Sequence, residues 1–553
     1  MAGSFLGLSI AASGLLVNQR ALSVNAHNIA NANTEGYSRQ RMDMTQFRPD
    51  MLPGGLGSLG TGVDVTAVKQ FRDEFMDFRF QQENTVVGEW TKKEDILLTL
   101  EALFNEPSES GIATVVDEFF SSLQELSKSP ELLETRALVR QRAIMLAENL
   151  SHLSEGLHNL QQDMNFQLET AVNEVNSLAD QIAELNSVIF ESELEGGVAN
   201  DLRDQRSLLV DKLSEYAELQ TFTDNQNRFF VQINGTLIVS HIDSQDLVLT
   251  ERADKKNPDD VARLTDLSWE KGGTFVTSGG ALKGIMDMRD GATAESKGIP
   301  YYVEKLNEFA DTFISEMNRV HSSGYDLDQN TGTSLFTVND LSSADYENAI
   351  KTSGLDGNAA IDLTTVLTAG TSSSNTEAEN QEIIRKNTKT FFANNPNYDG
   401  KSVKVLSDGR YYLSDRLRAS DITISKDVDS DLDKIAASST PTGVPGAGDN
   451  ALKLNDLRQD SGMFAWGSPE DFVRSLVSNL GVDAQEAKRI VSNQEAMMKQ
   501  IEFFRQSAMG VSIDEEMADM IRFQNAYNAS ARMLTTIDEM LDLIINRLGT
   551  VGR

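Results

Sequence analysis

The chain has 553 residues, room for three to four domains at ~150 residues each and enough to bury a core without covalent staples. Its 49 Lys and Arg stand against 84 Asp and Glu, a formal charge of −35, which argues against a nucleic-acid surface and against anchoring on anionic lipid. Cysteine is absent, so disulfides, thiolate metal sites and cysteine nucleophiles are excluded together, while the redox compartment stays open.

Met1 to Val17 is fairly apolar but lacks the basic start of a signal peptide. The helical pattern runs on through Asn18, Gln19 and Arg20, so any export would use an uncleaved address. Phe5, Leu8, Ala12, Leu15, Leu22, Ala26 and Ile29 form a heptad-like seam. Asn18, Asn25, Asn28, Asn31 and Asn33 read either as polar flanks or as amides that bridge packed helices and fix register. The heptad spacing of Asn18 and Asn25 favours bridging. Gly36 is placed to end this helix near Asn33, and Tyr37 to Phe47 reads as extended. Gly55, Gly57 and Gly60 spell G-x-G-x-x-G. A turn-rich stretch precedes them and strand-like Val63 to Val68 follows, so a flexible glycine loop is favoured over a dinucleotide site.

A helix is predicted from Phe71 to Phe104. Then comes a long apolar seam: Leu146, Leu150, Leu153, Leu157, Leu160, Met164, Leu168, Ala171, Val175, Leu178, Ile182, Leu185 and Ile189. It implies about 65 Å of helix at ~1.5 Å per residue, with one or two breaks allowed, ending at Gly196 and Gly197. Further helices are predicted for Leu202 to Tyr216, Tyr301 to Val320 and Pro469 to Ser507. Phe229 to Ile233 and Thr236 to Ser240 flank Asn234-Gly235, a two-residue hairpin turn. From about Tyr325 to Asn450 the helical period fades and Ser, Thr, Asn, Asp and Gly dominate, which suggests an inserted β domain. No apolar run approaches the ~18 residues of a membrane span. Near the C-terminus, Ile513, Met517, Met520, Gln524, Tyr527, Ala531, Leu534, Asp538, Leu541, Ile545 and Leu548 alternate in steps of 4 and 3, a coiled-coil seam. Ile521, Met533, Ile537, Met540 and Ile544 add a second flank. The N-terminal helix could cover one stripe, and a neighbouring molecule is the natural cover for the other.

Motifs for chemistry are scarce. His27, His152, His158, His241 and His321 include no H-E-x-x-H zinc helix, and His152 and His158 read as solvated helix residues unsuited to sharing a metal. There is no G-x-S-x-G elbow and no phosphate-binding G-x-x-x-x-G-K-[ST] loop. Close carboxylate pairs arise by chance among so many acids, so a solvated acidic surface is the preferred reading. No cofactor is expected.

The run Ala26-His27-Asn28-Ile29-Ala30-Asn31-Ala32-Asn33-Thr34-Glu35-Gly36-Tyr37-Ser38-Arg39-Gln40 resembles the N-terminal signature of the bacterial flagellar rod, hook and hook-associated axial proteins. Its signature positions are Asn28, Asn31, Thr34, Gly36, Tyr37, Arg39 and Gln40. Glu35 departs from the small or apolar residues common there. Asp514 to Ala518, Phe523 to Tyr527 and Ile537 to Leu541 resemble the partner C-terminal signature. Asp204 to Ser214, Gly279 to Asp290, Asn318 to Gly324 and Gly510 to Glu516 narrow the resemblance to the hook-associated branch at the hook–filament junction. The likeness covers about residues 1–325 and 460–553 and is weak from 326 to 450.

That resemblance implies a structural, non-enzymatic protein, exported unfolded by the flagellar type III apparatus and located outside the cell at the hook–filament junction. Its implied partners are further copies in a ring or helical layer, the hook protein, the next hook-associated junction protein, and an export chaperone. The fold expected is mainly α with inserted β. Residues 1–60 and 511–553 form the inner coiled coil, 61–325 and 456–510 a helical core containing the hairpin, and 326–455 an outer β-rich domain. Phe5, Leu8, Leu15, Leu22, Ile29, Met517, Met520, Tyr527, Leu534, Leu541 and Ile545 are assigned to subunit and axial-helix packing, and Ile521, Leu534, Ile537, Leu541 and Ile544 to the chaperone. The alternatives are a hook or distal rod subunit, disfavoured by the long seam because such proteins are mainly β between their terminal helices, and a secreted enzyme on an axial scaffold. A cytosolic coiled-coil scaffold is disfavoured by the paired terminal signatures.

Overall fold

A computed structural model of the protein describes residues 2–51, 57–104, 111–194, 196–352, 361–398 and 401–543, with side chains from residue 6 onward. Helix α1 (Ala2–Ala30) opens the chain, and Gly36 ends its exit turn at φ 77°. Strand β1 (Gln40–Gln46) follows, then the short pair β2 (Asp50–Met51) and β3 (Ser58–Leu59), then β4 (Val63–Gln70). β4 returns antiparallel to β1, Gln40 opposite Gln70 and Gln46 opposite Val63. Val17 and Ala21 of α1 are buried with Met42 on this ribbon.

The helical core begins with α2 (Glu74–Phe104), α3 (Ile112–Lys128), α4 (Leu133–Glu193) and α5 (Asn200–Tyr216). α4 is one unbroken helix of 61 residues, about 90 Å at ~1.5 Å per residue. The breaks allowed from sequence do not occur. The segment holds no proline, and its one glycine, Gly156, lies where Leu103 of α2 packs against it. Every residue of the predicted seam except Leu185 is buried, and packing along the seam, rather than intrinsic propensity, holds so long a helix together.

Strands β5 (Leu219–Thr223), β6 (Phe229–Ile233), β7 (Thr236–Ser240) and β8 (Asp243–Ser244) form an antiparallel sheet in that order. Asn234 and Gly235 join β6 to β7 with φ of 45° and 83°, the left-handed pair such a turn requires. β9 (Leu247–Glu251) pairs with β10 (Thr265–Trp269). Helices α6 (Ala281–Asp290) and α7 (Ile299–Ser323) complete this part. Gly280 has φ 91° and lies against the Tyr216 carbonyl, and a Cβ on Gly284 would come 2.5 Å from the carbonyl oxygen of Glu89. The glycines of the G-G-A-L-K-G run therefore let α6 wedge between α2 and α5.

The insert contains β11 (Phe336–Val338), α8 (Ser343–Thr352), β12 (Ile361–Asp362), α9 (Thr364–Leu367), α10 (Glu377–Asn394), β13 (Lys401–Val405), β14 (Tyr411–Asp415), β15 (Ile422–Ile424), α11 (Lys426–Ser430) and α12 (Asp449–Asp456). It is a mixed α and β body with more helix than strand, which corrects the β-rich expectation. The physical reason is visible in α10, which buries only Ile384 and so shows no apolar period in sequence. The expected boundary of 326–455 also shifts. Leu335, Phe336, Ile422, Ile424, Val428, Ile435, Ala451 and Leu454 belong to the main core, and only residues within 339–416 form small cores of their own.

The Asn318-to-Gly324 run roots the insert. Asn318 donates to the carbonyl of Phe336 at 2.8 Å and accepts from the N–H groups of Leu335 and Phe336, both at 2.9 Å. His321 Nε2 accepts from the Ala436 N–H at 3.0 Å, so Nδ1 carries the proton and donates to the Thr333 carbonyl at 2.7 Å. Helix α13 (Pro469–Met509) starts on a capping box formed by Ser468 and Asp471, runs along α2, and leads into α14 (Ile513–Asp542). Among the described residues no helix is long and apolar enough to cross a membrane.

Candidate functional site

The two terminal helices pair antiparallel. Gly7 of α1 lies by Ile537, Gly14 by Ser530, and Asn25 donates to the Glu516 carbonyl at 3.3 Å. The contacting positions of α1 belong to a series in steps of 4 and 3: Gly7, Ala11, Gly14, Asn18, Ala21, Asn25 and Asn28. Small residues there let the backbones approach closely. The predicted apolar seam of Leu8, Leu15, Leu22 and Ile29 lies one position, about 100°, further round and is only half-buried. On α14, Met520, Tyr527, Leu534, Ile537 and Leu541 are half-buried. Met517 and Ile521 face outward at 52% and 59% exposure. The Phe5 side chain, Ile544 and Ile545 lie outside the described residues.

The signature residues build a polar joint beneath this pair. Asn28 is fully buried. It donates to Glu516 at 3.1 Å and to the Gln40 carbonyl at 2.9 Å, and its Oδ1 accepts from the Gln40 N–H and the Tyr37 hydroxyl. Tyr37 also contacts His27, and burial among Asp201, Asp204 and Glu516 raises its phenol above the ordinary tyrosine range. Arg39 binds Glu516 at 2.7 Å and Glu515 at 2.9 Å, while its N–H donates to the carbonyl of Met509 at 2.8 Å. Burial opposes the Arg39 charge, but Glu516 outweighs it and raises the guanidinium further. Asn31 bonds the His27 carbonyl of its own helix and Thr34 bonds Asn31, so these two shape the exit turn. Gly36 packs on Leu208 of α5.

The joint continues into the core. Ser38 donates through its N–H and its hydroxyl to Asp204, both at 2.8 Å. Arg72 bridges Asp204 and Asp77, Arg505 bridges Asp77 and Asp211, and Gln40 bonds Asp201. Burial pushes the Asp204 and Asp211 carboxyls above the usual range despite these partners. The Asp204-to-Ser214 run is therefore the acidic side of the joint, offering Asp204 and Asp211 two turns apart on one helical face. The whole set ties α1, β1, α2, α5, α13 and the start of α14 into one unit. Its chemistry is positional: charge-assisted bonds with fixed directions that set the angle of the terminal helices on the core.

Sequence reasoning did not single out Arg72, Asp77, Arg505 or Glu516 individually, nor the small-residue face of α1. One sequence signal pointed to the α1 face, the 4-and-3 recurrence of Gly, Ala and Asn. Asn25 and Asn28 reach across to α14, whereas Asn18 bonds its own helix at Gly14. His158 is no simple solvated residue, since its ring nitrogens meet the carbonyls of Ser154 and Asp259. Gly57 and Gly60 lead into strand β4 rather than a helix, and Gly55 lies outside the described residues. Among the described residues no cluster of three potential metal ligands occurs.

Comparison with known proteins gives consistent matches. Residues 97–336 match the family model described as flagellar hook-associated protein FlgK helical domain. Residues 8–37 match the flagella basal body rod protein model, and 505–548 the flagellar basal body rod FlgEFG protein C-terminal model. The chain is 31% identical to flagellar hook-associated protein 1 of Bacillus subtilis over the full length of both. It is 25% identical to the protein of that name in Escherichia coli, over 97% of this chain and 98% of the relative. In fold it is similar to the flagellar hook junction protein FlgK of Burkholderia pseudomallei, with a TM-score of 0.56 and 16% identity, over 79% of this chain and all of that one.

Proposed function

Because the chain belongs to the flagellar hook-associated protein 1 family, a family of structural flagellar proteins, we propose that it forms the layer joining hook to filament in the bacterial flagellum. The observation that carries this reading is the terminal helix pair. It is held on the core by the signature residues, yet it keeps Leu16, Ile513, Met517, Ile521, Met533 and Met540 exposed. An apolar flank fixed at a set angle is what a subunit needs to stack against copies of itself and against unlike neighbours. The partners are the hook protein on one side and the next hook-associated protein on the other, with further copies alongside in a ring or helical layer. The protein leaves the cell unfolded through the type III apparatus and keeps its N-terminus. Before export, a small helical chaperone covers the α14 flank, as an amphipathic helix is masked in a groove.

Removal of Asp514 to Arg553 tests the proposal. The core should still fold, while cells carrying the truncated protein should bear hooks without filaments and release flagellin into the medium. Filaments of normal length on that strain would contradict the reading.

A further inference from the structure

Apolar side chains within residues 339–416 gather in two small cores of their own, with Leu417 packed against both one of these and the main core. Much of what crosses the boundary is charge. Lys404 of β13 pairs with Asp311 of α7, and both are buried. Around them Arg385 meets Asp460 at 2.5 Å and Glu316 at 3.8 Å, Arg319 meets Glu377 at 3.5 Å, and Arg416 meets Glu304 at 3.7 Å. Beside these contacts lies a cleft of about 580 Å³ between Tyr346, Ile350 and Arg416 on one wall and Asp259, Pro300 and Val303 on the other.

The chain enters this region through a tight turn. Asn339 and Asp340 follow β11 with φ of 51° and 57°, two successive non-glycine residues in the left-handed region. Their N–H groups are held by the Asp421 carbonyl at 2.9 Å and the Thr423 hydroxyl at 3.0 Å. The turn, closed by the Leu341 N–H on the Val338 carbonyl at 3.1 Å, lies at the two-stranded neck of β11 and β15, which is itself part of the main core.

We infer that residues 339–416 form a hinged lobe, latched on α7 by the Lys404–Asp311 pair and its rim of ion pairs, and pivoting on the neck where Leu341 and Ser343 bond Lys426 and Asp427 and at residues 416–418 to open the cleft. Three features make the latch weak. Partly exposed ion pairs contribute little and are screened by salt. A buried pair gives back in attraction roughly what it loses in desolvation. Burial already pulls the Lys404 ammonium below the usual lysine range. Polar boundaries of this kind permit relative motion of the bodies they join.

The absence of cysteine makes the test clean. Glu155→Cys on α4 and Lys389→Cys on α10 are exposed label sites on the core and the lobe. Electron–electron distance measurements on the full-length protein should give one narrow distance at low salt. In about 0.5 M salt, where the screening length is ~4 Å, a second distance should rise roughly fivefold. The same rise is expected at low salt when Lys404→Met is combined with Asp311→Leu. Hydrogen exchange must show Ile384 and Leu413 still protected, since a moving lobe keeps its own core. One unshifted distance under both conditions overturns the inference, and so does broadening accompanied by loss of that protection. If the core double variant does not fold, Arg385→Gln with Glu377→Gln is read in its place. That pair leaves Lys404 and Asp311 intact and should give about a twofold rise, and no rise overturns the hinge.

Discussion

His321 makes the protein acid-sensitive at one defined place. The imidazole is fully buried, donates through Nδ1 to the Thr333 carbonyl and accepts the Ala436 N–H on Nε2. A second proton would be buried and would replace that acceptor with a donor facing a donor. Burial accordingly pushes the group down from 6.5 to about 4. Its folded value is depressed, so the unfolded chain takes up the proton first. Stability is therefore intact above pH 6.5 and lost as pH falls toward 4. The loss is about 1 kcal/mol at pH 5.5 and about 3 kcal/mol at pH 4. His321→Gln can keep one donor and one acceptor but cannot titrate. Urea unfolding of both proteins between pH 7 and 4 isolates the difference from the carboxylates, which titrate in each. The wild-type curve should fall below the variant's by those amounts. Parallel curves would refute the burial argument.

Glu516→Leu strands Asn28 and half of the Arg39 contact. Because Glu515 remains, the docking of α1 and α14 should weaken by about 2 kcal/mol, seen as faster hydrogen exchange at both ends with α4 unchanged. Met517→Asp with Ile521→Asp changes exposed positions, so monomer stability should move by no more than about 0.5 kcal/mol while filaments disappear. A large drop in melting temperature would place these residues inside the monomer fold instead. For the chaperone, a peptide of residues 512–548 should bind as well as the whole protein, and Leu534→Asp with Leu541→Asp should cost about 3 kcal/mol or more in calorimetry. Unchanged affinity would move the binding site elsewhere.

The central spine was readable because its partners all press on one stripe. Leu146 through Ile189 are apolar at helical spacing, and the helix obeys them for its whole length. The hairpin at Asn234-Gly235 was equally plain, since only that turn chemistry fits two left-handed residues. The α1 face was harder. Its contact residues are Gly7, Gly14, Asn25 and Asn28, which make close approach and directed bonds rather than apolar area, so a hydrophobicity pattern points about 100° away. The joint was beyond sequence reading for a different reason. Ser38 and Asp204 stand 166 residues apart, and Arg39 and Glu516 477 apart, and nothing in either neighbourhood names the other. The lobe hid its helices because α10 rests on a single buried side chain.

The span between Asn25 and Glu516 has a consequence for timing. These residues meet across 491 positions, and the first helix of the chain has its partner only in the last. A protein that emerges in order from either end holds that first helix unmatched until nearly everything else has appeared. A chain that ends just after α13 keeps the core residues Phe472 to Ala487 but lacks α14, and never completes the pair. If the proposed function holds, the stacking surface built from this pair is withheld from incomplete molecules, and the fold gauges its own length before a subunit is fit to join.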